Sequence, residues 1–244
     1  IESNIIGTFN LLEASRAYWQ TISSIKKNLF RFIHISTDEV FGSLGKYGSF
    51  SEISPYDPRS PYSASKAASD HLVNSWHHTY GLPTIVTNCS NNYGPWQFPE
   101  KLIPLTILKI IKKERIPIYG DGSNIRDWLY INDHIEAIMM ILKKGKIGEK
   151  YCIGGGYEKN NLHVVKDICK IMDNLLPDNN PYENLINFIS DRKGHDKRYS
   201  INNSKIKKEL GWEPKYNFND GIKLTINWYL KNTKWCDQVL KDND

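Results

Sequence analysis

Residues 30–42 read FRFIHISTDEVFG. The run from Phe30 to Ile35 is rich in aromatic and β-branched side chains and predicts a strand over about 30–36. It stops at a hydroxyl, Thr37, followed by two adjacent carboxylates, Asp38 and Glu39. Outward from this stretch, apolar periodicity predicts helices at about 3–18, 62–80, 101–113, 132–143, 162–175, 203–210 and 219–231. Further strands are expected at about 84–90, 116–119, 149–153 and 185–189. Strands that alternate with helices predict an α/β fold on a parallel sheet with right-handed crossovers. Ligands of such sheets lie beyond the carboxyl ends of the strands. Thr37-Asp38-Glu39 and Cys89-Ser90-Asn91-Asn92 both fall at such ends.

Composition narrows the function. The chain has 244 residues, 40% of them hydrophobic, enough for a packed core. Its 32 basic and 27 acidic residues leave a net charge of +5, spread along the chain, which calls for no nucleic-acid partner. No apolar run is long enough for a membrane span, and no secretion leader is read. Cys89, Cys152, Cys169 and Cys236 show no C-x-x-C spacing, so free thiols in a reducing cytoplasm are expected. His77 and His78 are neighbours on a helix and face different sides; they read as solvated, and no metal site is expected. The first residues, IESNIIGTFNLLEASRAYW, carry a helical stripe without an initiator Met, so an element is expected before them.

Residues 61–72, PYSASKAASDHL, hold the second constellation. Pro61 suits the first turn of a helix, and Tyr62 and Lys66, four apart, share one face. A phenol has an ordinary pKa near ~10, which an adjacent ammonium lowers, so the pair can take a proton from an alcohol. Taken alone, the pair is more often a surface tyrosine and a solvated lysine, and Asp-Glu alone is more often a capped or solvated turn. The three glycines Gly42, Gly45 and Gly48 have dinucleotide-loop spacing but lead to prolines and serines, so 42–60 reads as a plain flexible loop. Gly154-Gly155-Gly156 reads as a turn.

Together these motifs resemble the extended short-chain dehydrogenase/reductase superfamily, and within it the nucleotide-sugar 4,6-dehydratases. The resemblance rests on HISTDEVFG, YSASK, NNYGP, KLIP, PIYGDGSNIRDWLYINDH, DRKGHDKRY and LGWEPKYNF, in order along nearly the whole chain. It implies a Rossmann-like parallel sheet whose first β-α units are not in this sequence, with a smaller α/β C-terminal substrate domain. Residues 1–95 are expected to belong to the NAD-binding part and 96–244 mainly to the sugar-nucleotide part, with a return near 125–155. The cofactor implied is NAD. The substrate implied is a nucleotide sugar, dTDP-glucose first and a UDP-sugar as the alternative, because Thr-Asp-Glu occurs in both kinds of dehydratase.

By the same resemblance, Tyr62 takes the proton from the alcohol at carbon 4, Lys66 tunes it and holds the cofactor's ribose, and Thr37 binds the same oxygen. Glu39 removes the proton at carbon 5 while a protonated Asp38 serves the leaving hydroxyl at carbon 6. Neighbouring carboxylates in a dry site push their pKa values apart, which suits an acid and a base side by side. Asn92 faces the cofactor. Asn91, Lys101, Leu102, Pro117, Tyr119, Arg126, Asn161, Arg192 and His195 line the substrate site, with Arg126 and Arg192 offering guanidinium forks to a diphosphate. Lys193 stands where the family usually has proline. The helices at 3–18 and 62–80 are expected to pair with their copies in a homodimer, through residues that include Trp19, Leu72, Val73 and Trp76. With no glycine loop for the NAD pyrophosphate in sight, a non-catalytic remnant that binds NAD weakly is the remaining alternative.

Overall fold

The computed structural model describes residues 1–241. A π-helical turn runs into α1 (Gly7–Thr21), followed by α2 (Ser24–Leu29), β1 (Phe32–Thr37), α3 (Pro61–Tyr80), β2 (Thr84–Cys89), β3 (Asn91–Tyr93), α4 (Leu102–Ile111) and β4 (Ile116–Tyr119). Next come β5 (Ile125–Tyr130), α5 (Ile131–Lys144), β6 (Lys150–Ile153), β7 (Glu158–Asn160), α6 (Asn161–Leu175), β8 (Ile186–Ile189), α7 (Ser204–Leu210), α8 (Phe218–Lys231) and α9 (Thr233–Lys241). The predicted strands and long helices are present. The sequence reading missed β3, β5, β7, α2 and α9.

Local chemistry fixes the element that matters most. Ser60 and Ser63 cap the start of α3 reciprocally, each hydroxyl accepting the other's backbone N–H at 3.0 Å. Pro61 takes the first helical position, where no N–H is required. This start places Tyr62 in the first turn and Lys66 one turn later. Gly81 ends the helix in the left-handed region at φ 68°.

Three small sheets result. β1, β2 and β6 form a parallel sheet in the order β1-β2-β6, with Thr37 opposite Cys89 and Cys89 opposite Ile153. β5 is flanked by β3, parallel, and β7, antiparallel. β4 pairs in parallel with β8. α3 lies on β1 and β2 and is backed by α1, while α4, α6 and α8 pack together over the second half. Leu12, Val73, Leu82 and Val86 seal the α1–α3 side. Val73 is therefore core, and Trp19, Leu72 and Trp76 are partly buried against it. Trp212 is buried in the cluster that joins α5 to the first sheet.

Two expectations are corrected. Residues 42–60 are pinned along their length. Leu44 N–H donates to the Arg198 carbonyl at 2.9 Å, Phe50 pairs with the 200–202 backbone, and the Arg198 guanidinium holds the Gly45 and Gly48 carbonyls at 3.2 and 3.0 Å. Phe50, Phe41 and Tyr56 stack beneath it. His77 is half-buried, with Nδ1 3.0 Å from the Leu82 carbonyl, because the chain turns back over it after Gly81. Among the described residues no helix is long and apolar enough to cross a membrane, and no cluster of three His, Cys, Asp or Glu could hold a metal.

The Gly154-Gly155 turn lies directly on β5. A Cβ on Gly155 would sit 1.9 Å from the Trp128 carbonyl oxygen, with backbone on both sides and no flexible atom to yield. Gly155→Ala should therefore lower stability by about 3 kcal/mol in urea unfolding. Gly45→Ala is the control, since its Cβ would meet nothing within 4 Å; it should change stability by less than about 0.5 kcal/mol.

Candidate active site

β1 delivers Thr37 to the carboxyl end of the parallel sheet, and a 3₁₀ turn, Asp38–Phe41, follows at once. The Thr37 hydroxyl makes that turn. It accepts the Glu39 N–H at 3.2 Å and lies 3.2 Å from Asp38 Oδ1, to which it donates. Gly42 closes the turn at φ 84°, against Asp57, where a Cβ would stand 2.6 Å from a carbonyl oxygen. The two acids thus ride on one short, rigid turn.

Their surroundings differ. Asp38 is 2% exposed, and its Oδ2 has no hydrogen-bond partner. Burial pushes its carboxyl well above the usual range, and the nearby Glu39 and Asp127 push in the same direction. Glu39 is also raised by burial, but Arg126 pulls against this, helped by Arg192 and Lys101, with Asp196 opposing them. Both carboxyls feel the Arg126 guanidinium, but Asp38 is the drier and has two acids beside it, whereas Glu39 also looks onto Arg192 and Lys101. This is the asymmetry an acid–base pair requires. Asp127 itself, buried on β5 beneath the N–H groups of Tyr157 and Ile201, is pushed up to about 6 by burial.

Tyr62 and Lys66 come from α3. The phenol is half exposed, and burial, then Glu39, Cys89 and Asp38, raise it to about 12. This corrects the expectation that Lys66 lowers it. The ammonium instead donates to the Ile35 carbonyl of β1 at 2.7 Å. Burial pulls the Lys66 pKa down, while Asp70 and Cys89 pull it up.

The remaining candidates surround this centre unequally. Arg126 is buried on β5, donates to the Ile125 and Asp196 carbonyls at 2.8 and 3.0 Å, and lies 4.4 Å over the Tyr199 ring. Its fork is thus already engaged in holding the 196–199 segment. Arg192 is exposed, stacks 5.0 Å over Tyr119, and meets His195 Nε2 at 3.0 Å. His195 is fixed from its other side by Asp191 at 2.7 Å, and burial lowers its pKa. A cleft of about 560 Å³ runs between Ser43–Gly45, Arg59 and Gly194–Lys197. Asn91 and Asn92 follow β2, each with a buried Oδ1 that lacks a partner; the Asn92 amide donates to Cys89 Sγ and the Ser90 carbonyl. Lys101 immediately precedes α4, makes no side-chain capping bond, and pairs with Glu100 at 2.8 Å. Leu102 and Asn161 lie at the starts of α4 and α6, and Pro117 lies on β4.

The sequence reading overlooked Asp70, Asn88, Asp127 and Asp196. Asp70 was findable, being one turn beyond Lys66 on the same stripe. Asp127 stands next to Arg126 in IRDW, and nothing in one dimension marks it as buried.

Comparison with known proteins adds an independent line. The family model described as GDP-mannose 4,6 dehydratase matches residues 1–225. A dTDP-glucose 4,6-dehydratase of Xanthomonas campestris pv. campestris is 55% identical over 242 residues, covering 98% of this chain and 69% of that protein. dTDP-glucose 4,6-dehydratase 1 of Escherichia coli K12 is 54% identical over 248 residues, with the same two shares, 98% and 69%. The crystal structure of dTDP-glucose 4,6-dehydratase from Bacillus anthracis in complex with NAD superposes with a TM-score of 0.85 at 46% identity, covering 97% of this chain and 70% of that one.

The Asp38 environment makes a stability prediction. Its folded-state pKa lies above the unfolded value, so the native chain keeps a proton that the unfolded chain has released. The associated stability is complete below about pH 4 and is lost as pH rises through the folded value. Asp38→Asn cannot ionise, so it should be more stable than the parent at pH 8 by on the order of 1 kcal/mol or more, and flatter in pH. Asp127 leaves a residual slope of the same sign, between its unfolded pKa and about 6. Urea midpoints at pH 5 and pH 8 measure this; a variant as steep as the parent would mean that Asp38 ionises freely in the fold.

Proposed function

The chain belongs to the GDP-mannose 4,6 dehydratase family, and from that premise we propose that it is a dTDP-glucose 4,6-dehydratase, which converts dTDP-glucose to dTDP-4-keto-6-deoxyglucose with loss of water. The observation that carries the reading is the unequal housing of Asp38 and Glu39 within electrostatic reach of Tyr62. The Xanthomonas and Escherichia relatives, both named for dTDP-glucose, support the choice of nucleotide over UDP. Assaying UDP-glucose beside dTDP-glucose decides between the two.

NAD supplies a hydride acceptor at carbon 4 and a hydride donor at carbon 6 when bound. The residues present fit its nicotinamide end: Tyr62 and Lys66 on the first turns of α3 and the unpaired buried Oδ1 of Asn92, just after β2, would hold it. Tyr62 takes the proton from the carbon 4 hydroxyl, with Thr37 on the same oxygen. A phenol raised to about 12 is little ionised near neutrality, yet two of the acids that raise it carry little charge there. Asp38 stays protonated, and Cys89 is a thiol pushed up to about 12. The ketone then makes carbon 5 acidic. Glu39, looking onto Arg126, removes that proton, while Asp38 donates its own to the hydroxyl leaving carbon 6. After the water has gone Glu39 returns its proton to carbon 5, and the proton that Tyr62 took from the carbon 4 hydroxyl balances the one that Asp38 gave up. Arg192, with Arg126 behind it, and His195 face the diphosphate across the cleft at Gly194–Lys197, and Asn91, Lys101, Leu102, Pro117, Tyr119 and Asn161 complete the substrate wall.

Residues 1–95 serve the cofactor side and 96–244 mainly the sugar nucleotide, with β6 returning to the first sheet. The four buried free thiols suit a reducing cytoplasm. Ile6, Phe9, Leu11 and Tyr18 of the first helical stretch and Tyr80 of α3 remain 42–62% exposed, an apolar face for a second copy. A homodimer in light scattering at micromolar concentration is expected; a monomer there would remove this assignment.

Glu39→Gln is the decisive variant. It should retain oxidation at carbon 4 and sugar-nucleotide binding but lose water elimination by at least about 100-fold, with no solvent deuterium entering at carbon 5. Elimination at the parental rate would sink the role given to Glu39. A parent chain of residues 1–244 that neither retains NAD nor turns over dTDP-glucose would favour the remnant reading.

A further inference from the structure

Behind the proton-transfer residues lies a second polar cluster that the reaction scheme leaves unused. Asp70 is 0% exposed. It stands four residues beyond Lys66 and eight beyond Tyr62 on α3, so the three share one helical stripe. Groups from three other segments meet its carboxylate. The Tyr56 hydroxyl, from the pinned 42–60 segment, donates to Oδ2 at 3.0 Å. The Asn88 amide of β2 donates to the same oxygen at 3.2 Å. His34 Nε2 of β1 lies 3.2 Å from Oδ1, without the alignment of a hydrogen bond. From β6, Lys150 sits 4.4 Å over the Tyr56 ring and also feels the Asp70 charge. The Asn88 amide has a second acceptor, the Thr37 carbonyl at 3.1 Å, at the peptide where the acid turn begins.

We propose that Asp70 is a positioning residue for the dehydratase reaction assigned above, on which this inference rests: from one turn along the same stripe it supports Lys66, and through Asn88 it fixes the Thr37 carbonyl and so the aim of Asp38 and Glu39. A purely structural role does not require an acid. An asparagine could accept from Tyr56 and Asn88 and turn its amide toward His34. What only a carboxylate adds is charge, and two half-buried lysines respond to it. Burial drives both Lys66 and Lys150 toward the neutral amine, and Asp70 opposes this in both. Of the two, Lys66 is on the catalytic stripe, with its ammonium already tied to β1 at Ile35.

The test is Asp70→Asn, read first without substrate. Lysine-labelled protein gives the Lys66 titration by ¹³C NMR, assigned with Lys66→Arg. The Lys66 pKa should fall by about one unit in Asp70→Asn. The alkaline limb of the kcat profile should move down with it, with KM within about twofold and kcat near neutrality about tenfold lower. Asn88→Ala breaks the other arm: the Lys66 titration should stay parental while kcat falls about tenfold. A parental Lys66 titration and a parental pH profile in Asp70→Asn would overturn the proposal. If Asp70→Asn does not accumulate as folded protein, parental kcat in Asn88→Ala would overturn it instead. A parent that fails to turn over dTDP-glucose overturns the functional reading, and the Lys66 titration still decides the electrostatic part by itself.

Discussion

A carboxyl taken out of water must be protonated, ringed by donors or paired with a cation, and this constraint organises the site. The fold uses all three solutions within a small volume. Asp38 has one weak donor, Thr37, and two acids beside it, so it keeps its proton. Asp127 is ringed by backbone N–H groups of the 156–157 turn and of Ile201, and is raised only to about 6. Asp70 takes a phenol, an amide and an imidazole contact, with lysines on two sides. Glu39 is raised by burial but has Arg126, Arg192 and Lys101 pulling the other way. The pairing of β1 with β2 sets all of this, because Thr37 opposite Cys89 fixes where the acid turn starts.

The parts of the fold legible in the sequence are those where local chemistry and tertiary packing agree. The start of α3 is written in Ser60-Pro61 and Ser63, and its end in Gly81. β1 and β2 are runs of β-branched and apolar residues. β5 was not legible for a physical reason. Its sequence, IRDWLY, places two opposite charges side by side in a strand covered on both faces, with Arg126 and Asp127 at 7% and 1% exposed. Adjacent charges read as surface, and only the tertiary partners reveal otherwise: the Tyr199 ring and Asp196 carbonyl for Arg126, the 157 and 201 amides for Asp127. β7 is three polar residues, too short for any periodicity.

The 42–60 segment shows the same limit. Its glycines and prolines are loop residues, as the sequence implies, but composition does not distinguish a free loop from a strapped one. Arg198 does the strapping, through two carbonyls and Glu158, and Glu52 accepts the Cys152 N–H at 2.8 Å. The segment therefore carries Tyr56 to Asp70 as reliably as a helix would. A loop that supplies a buried hydrogen bond to the network under the catalytic helix is part of the scaffold, however it reads in one dimension.

The Tyr62–Lys66 pair is where sequence logic and structure diverge most. Four-residue spacing puts both on one face of α3, and elementary electrostatics then has the ammonium lower the phenol. In the folded chain the phenol is instead raised to about 12, with acids as its charged neighbours and the ammonium turned to a strand carbonyl. Spacing fixes a shared face, but a flexible four-carbon stem still chooses among acceptors on it. The acceptor it takes is the Ile35 carbonyl of β1, with Ile35 itself 51% exposed. The basicity of Tyr62 is thus governed less by the sign of its sequence partner than by which nearby acids are ionised. Protonation of Asp38 serves twice: it arms the acid for carbon 6, and it removes a negative charge that would otherwise oppose the phenolate needed at carbon 4.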